Sequence, residues 1–251
     1  MECTKKKARN WKVRILEEIK QDNKCMFVTL TFSNDSLLTL YNDIKHVIKN
    51  GKIPENEVVT RGVRLFLERW RKKYKKSVKH WLITELGHKG TERIHLHGLI
   101  WSLDKEEIEK IWNYGTVWFG QYVNEKTVNY IIKYCTKMDL DHKGYSPKIL
   151  CGKGIGSGYL NSYNLDLNKF NGDKTKEFYR LSNGNKMALP IYYRNNLYKD
   201  DEREYLWINL LDKNVRYIGG VEVDGDNEEL IFNILESKRR LNSQLGYGSV
   251  S

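Results

Sequence analysis

The chain has 251 residues, a formal charge of +11 and a pI near 9.3, with 30% charged and 12% aromatic side chains. That length allows one large domain or two small ones with a sizeable core, and a basic, aromatic-rich balance suits a polyanionic partner as well as it suits an ordinary basic protein. Four scattered cysteines (Cys3, Cys25, Cys135 and Cys151) argue against a disulfide scaffold or a zinc ribbon, and no signal peptide or membrane span is recognisable, so a soluble intracellular protein is expected.

Residues 5–21 read as a basic amphipathic helix, with Trp11, Ile15 and Ile19 at helical spacing. Residues 24–32 read as a strand ended by Ser33-Asn34-Asp35. A loop containing Pro54 leads to a helix over 61–76, apolar at Val63, Phe66, Leu67 and Trp70. Its other side carries Arg61, Arg64, Arg69, Arg71, Lys72 and Lys76, either a solvated face or one that contacts DNA. A strand over 80–86, a turn over 87–92 and a strand over 93–101 come next. They are followed by a helix over 102–112, where Asp104 and Glu107 have capping-box spacing, a strand over 116–123 and a helix over 127–138. This mixture predicts an α+β domain, an antiparallel sheet covered by helices. After residue 140 the chain changes: a glycine-rich segment (142–159), a hairpin turning at Asn183-Gly184, and helices over 200–213 and 227–241. There is neither a Walker phosphate loop nor a dinucleotide fingerprint, so any strand separation needs another protein.

Three side chains in this plan carry chemistry. On the 93–101 strand, His95 and His97 share one face, with roughly 7 Å between their Cα atoms. If the preceding strand pairs Glu85 opposite His95, the carboxylate joins them; a one-residue slip sends it to the other side. Two imidazoles and a carboxylate suit Mn²⁺ or Mg²⁺ in phosphate chemistry, and equally Fe(II) or catalytic Zn²⁺, while hydrogen-bonded structural histidines have the same spacing. On the 127–138 helix, Val128, Ile131, Ile132 and Cys135 form an apolar stripe, and Tyr130, Tyr134, Lys133 and Lys137 project from the opposite side. A tyrosine nucleophile needs a nearby cation, and both tyrosines have a lysine three residues on. Two snorkelling tyrosines on a solvated face are the plain alternative.

His95-Leu96-His97 resembles the histidine–hydrophobe–histidine motif of HUH endonucleases, and residues 130–137 resemble their Tyr-x-x-x-Tyr-x-x-Lys motif. Residues 27–32 are similar to their first motif, a strand of the central sheet. Order and spacing resemble the replication initiators of small circular single-stranded DNA phages of the gokushovirus and microvirus kind, and the likeness extends from Trp11 through 154–159 to 189–198. It implies about five antiparallel strands flanked by helices, with a nicking core over 1–140 and a mainly helical extension over 141–251 packed on it. It further implies Glu85, His95 and His97 as ligands of Mn²⁺ or Mg²⁺, Tyr130 and Tyr134 as nucleophiles, and Lys137 and Lys133 as phosphate-steadying cations. The partners implied are single-stranded and nicked circular origin DNA with a host polymerase and helicase, in the cytoplasm of a bacterial host and without a membrane. Cys151-Gly152-Lys153 stands where many relatives have a Ser-Arg pair, and Lys153 joins the candidate DNA contacts. Two other readings remain open: a non-catalytic basic nucleic-acid-binding module, and a two-His-one-carboxylate Fe(II) enzyme.

Overall fold

A computed structural model describes residues 2–47, 54–87, 92–136, 142, 144–218 and 221–244. The chain opens on helix α1 (Glu2–Gln21) and divides into two compact units, residues 18–155 and residues 1–17 with 156–251.

The 18–155 unit is built on a five-stranded antiparallel sheet, so the α+β class expected from the element order is the one observed. Its elements in chain order are β1 (Met26–Leu30), α2 (Asn34–Ile44), α3 (Pro54–Tyr74), β2 (His80–Leu86), β3 (Ile94–Ile100), α4 (Lys105–Trp112), β4 (Val117–Phe119), α5 (Glu125–Lys133) and β5 (Ile149–Cys151). The strands lie in the order β4-β1-β3-β2-β5. The fifth strand is drawn from beyond residue 140, out of the glycine-rich segment, and pairs Ile83 with Ile149.

Strand alternation assigns the two faces of this sheet. Met26, Val28 and Leu30, Leu82 and Leu86, and Ile94, Leu96 and Ile100 form one core with Leu40 of α2, Val63, Phe66 and Trp70 of α3, and Ile108 and Trp112 of α4. Each fully buried aliphatic or aromatic side chain contributes roughly 1.5–3 kcal/mol, so this face holds the unit together. The other face presents Phe27, Thr29, Ile83, Glu85, His95 and His97, as the register pairs Thr29↔His97, Ile83↔His97 and Glu85↔His95 require.

Several local expectations change. The Ser33-Asn34-Asp35 cluster does more than end a strand: the Ser33 hydroxyl accepts from Ser36 N (3.1 Å) and starts α2, a helix not expected from the sequence. Pro54 is the first residue of α3 rather than part of a loop, because a helix's first N–H has no partner to lose. Asp104 caps α4 by accepting from Glu107 N (3.0 Å). α5 starts at a reciprocal Asn124–Thr127 capping box, earlier than its apolar stripe indicates, and ends at Lys133 with Tyr134 as its C-cap. The turn expected at 87–92 lies mostly outside the described residues.

In the other unit Val13, Tyr159, Tyr179, Leu181, Leu189, Tyr193, Tyr198 and Leu206 make a tyrosine-rich core. Each buried phenol has an acceptor: Glu17 for Tyr179, Gly156 O for Tyr193 (2.8 Å), Asn168 Oδ1 for Tyr159 (2.6 Å) and Asn168 O for Tyr198 (2.6 Å). Gly156 has φ +75°, and a Cβ there would lie 2.6 Å from Arg14 O, so this glycine serves packing. The Asn183-Gly184 hairpin joins β6 (Phe178–Arg180) to β7 (Lys186–Ala188), with Gly184 at φ +83°. Helices α6 (Ile191–Leu197) and α7 (Asp200–Asp212), the hairpin β8 (Val215–Ile218) and β9 (Val221–Asp224), and α8 (Glu228–Gln244) complete it. Among the described residues no helix is long and apolar enough to cross a membrane.

Candidate active site

The hairpin of β2 and β3 brings Glu85, His95 and His97 together, their ligand atoms all within 4.8 Å of one another. Glu85 Oε2 lies 3.2 Å from His95 Nε2 and 2.9 Å from His97 Nε2. The far side of each ring is occupied. His95 Nδ1 is 3.0 Å from Arg93 O, and His97 Nδ1 is 3.0 Å from Thr29 Oγ1. A carbonyl oxygen only accepts, so His95 Nδ1 carries a proton and its Nε2 presents a lone pair to a carboxylate oxygen. Two acceptors face each other, and a cation between them resolves the conflict. Burial holds His97 below the ordinary imidazole range, despite the opposing pull of Glu85, which keeps it neutral as a metal-binding imidazole must be. The donor set and its orientation therefore fit a divalent metal ion.

α5 supplies the second half of the site. Its apolar stripe, Val128, Ile131 and Ile132, is buried. The tyrosines do not stand on a wholly solvated face: Tyr134 is 5% exposed and Tyr130 43%. The Tyr134 ring stacks on His97, with centroids 4.6 Å apart and planes 15° from parallel, and its hydroxyl donates to Tyr130 Oη at 2.7 Å. Lys133 Nζ lies 4.0 Å from the Tyr130 ring centroid and 5.2 Å from that of Tyr134. Lys137 lies outside the described residues.

The basic residues singled out on α3 are not gathered here. α3 packs on the opposite sheet face from the histidines. Arg69 is a correction: its guanidinium donates to Ile111 O (2.9 Å), Trp112 O (2.9 Å) and Tyr114 Oη (2.8 Å), tying α3 to the end of α4. Those carbonyls have no partner inside α4, which is why the fork turns inward. Arg61 pairs with Asp43 (2.6 Å), Arg71 donates to Ser77 (3.2 Å), and Arg64, Lys72 and Lys153 are exposed. Three neighbours of the site went unrecognised in the sequence. Thr29 reaches His97 only through strand register. Phe27 touches the rings of His97 and Tyr130, with centroids 6.2 and 5.9 Å away. Lys126, exposed one turn before Tyr130, shares its helix face, a spacing that the sequence does display.

Residues 25–139 match a family model, that of the replication-associated protein ORF2. The matched segment holds all three members of the His/His/Glu group and both tyrosines. No curated protein and no solved structure matches the chain.

Proposed function

With residues 25–139 in the replication-associated protein ORF2 family as premise, we propose that the protein initiates rolling-circle replication as a site-specific single-stranded DNA nickase and strand transferase. Glu85, His95 and His97 would hold Mn²⁺ or Mg²⁺, whose charge, when bound, counters that building on the scissile phosphate. A tyrosine oxygen of the Tyr130–Tyr134 pair attacks phosphorus in line. The new O–P bond forms as the bond to the 3′ oxygen breaks, leaving a 5′-phosphotyrosine and a free 3′-OH. The phenol proton departs by way of the neighbouring hydroxyl to solvent, and the 3′ oxygen gains one. A phosphodiester is exchanged for a phosphodiester, so rejoining is the same step reversed and consumes no nucleotide. Lys133 steadies the phosphate, and Lys137 is assigned the same role by its place three residues after Tyr134. The second tyrosine then cuts the regenerated origin while the first still holds DNA. A host polymerase extends the 3′-OH, and a host helicase opens the duplex in the bacterial cytoplasm.

The observation that carries this reading is the Tyr134 ring stacked at 4.6 Å on His97, a member of the metal-binding group, with Tyr130 joined to it hydroxyl to hydroxyl. The test is incubation with single-stranded origin-bearing phage DNA and Mn²⁺, followed by denaturing electrophoresis. A protein–DNA band that survives denaturant is expected. It should weaken in Tyr130→Phe and Tyr134→Phe and vanish in the double variant, each of which removes only an oxygen. Persistence of the band in the double variant would place the nucleophile elsewhere.

A further inference from the structure

The sheet face that carries the His/His/Glu group continues across β1 to the edge strand β4. Thr29 is paired with His97 on one side and with Trp118 on the other, so Trp118, Thr29 and His97 stand in one row on one face. Two strand spacings separate the outer members, roughly 10 Å. Val117 and Phe119, the neighbours of Trp118 on β4, turn to the opposite face and join the core there, so the indole is not needed for that packing. It is 56% exposed.

What lies between the indole and the site is aromatic throughout. The Trp118 ring meets Phe27 edge-on, with centroids 5.8 Å apart. Phe27 is nearly parallel to His97, with planes 6° apart, and edge-on to Tyr130. Gly120 makes room for it: its N–H donates to Phe27 O (2.9 Å), and a Cβ at Gly120 would come within 2.9 Å of Phe27 Cδ1. Phe27 itself is 7% exposed and works as a wedge that fixes the indole's edge. A flat, exposed ring held at its edge, in a row that ends at the proposed nucleophiles, has the form of a base-stacking surface. The indole also presents its N–H and π face to any of the four bases, so such a surface tolerates sequence.

We infer that Trp118 is a positioning residue: it stacks a base of the single strand next to the scissile phosphate and so holds that phosphate over the Glu85/His95/His97 group. This rests on the nickase reading for its purpose, but the stacking itself is measured without cleavage.

The experiment uses the full chain with Tyr130→Phe and Tyr134→Phe, in chelator, so that binding is read apart from metal and chemistry. Fluorescence anisotropy compares a labelled oligothymidylate with an abasic sugar–phosphate oligomer of equal length. The chain with Trp118 should prefer the thymidylate. Trp118→Ala should weaken thymidylate binding by about 5- to 150-fold, the range of one base–aromatic stack, and leave the abasic oligomer unchanged. Trp118→Phe should restore most of the loss. Unchanged abasic binding also reports that the alanine variant is folded. The inference is overturned by an equal loss on both oligomers, by no loss on thymidylate, or by a phenylalanine variant as weak as the alanine one. Absence of a covalent adduct in the earlier test would remove the nickase reading and leave this binding result standing.

Discussion

At the scale of single residues, the site depends on how two imidazoles are held. Each ring uses Nδ1 for a fixed partner, Arg93 O or Thr29 Oγ1, and so turns Nε2 toward Glu85. The two partners differ in kind. A backbone carbonyl cannot be mutated away, but the Thr29 hydroxyl can. Thr29→Val keeps the β-branched shape that suits β1 and deletes the oxygen, leaving His97 free to turn about χ2. Loss of such an outer partner typically weakens metal binding 10- to 100-fold, so about that change is expected in a Mn²⁺ titration by calorimetry, with the unfolding midpoint little altered. Unchanged Mn²⁺ affinity would mean that Tyr134 stacking alone orients His97. Glu85→Gln gives the complementary control, since an amide retains the shape of the carboxylate without its charge.

At the scale of elements, Arg69 shows how a charge pattern is misread from sequence. Its position on the polar side of α3 groups it with Arg64 and Lys72, yet its planar fork closes the end of α4 through two carbonyls and a phenol. Arg69→Ala leaves those carbonyls without that donor, and a hydrogen bond to a charged group is worth about 1.5–3 kcal/mol. A lower urea midpoint of that size is expected; Arg69→Lys should recover little of it, because an ammonium cannot span three acceptors in a plane. The salt dependence of DNA binding should not move. A flatter salt dependence with full stability would return Arg69 to the DNA. The β2–β3 hairpin was legible because period-two alternation fixes which side chains share a face, and Glu85 opposite His95 needed only the register. α2 was not legible, since its Ser-Asn-Asp start is also the composition of a turn. β5 was hidden for a different reason: three residues in a glycine-rich segment are too short to show a period, and only the exposed edge of β2 makes them a strand. Tyr134 against His97 is likewise a long-range contact, set by where α5 lands on the sheet rather than by its spacing.

At the scale of the whole molecule, the charge of +11 says that a polyanion is attracted but not where it lies. The sheet divides the candidates. Lys126 and Lys133 belong to α5, beside the tyrosines, whereas Arg64 and Lys72 lie on α3, packed under the other face. A helix with its side chains is about 10–12 Å across, so the solvent side of α3 is more than one Debye length, about 8 Å at physiological salt, from a strand running over His97 and Trp118. Charges there are screened from that strand, whatever they add to the net charge. A single strand releases about 0.7 counterions per phosphate contact. Replacing Lys126 and Lys133 by glutamine should therefore lower the slope of log affinity against log salt by about 1.4, and replacing Arg64 and Lys72 should leave it unchanged. Oligothymidylate binding measured across a salt series reads both. The opposite result, a slope that falls with the α3 pair and holds with the α5 pair, would put the strand on the helical face, where no phosphate could meet Glu85, His95 and His97, and the nickase reading would fall with it.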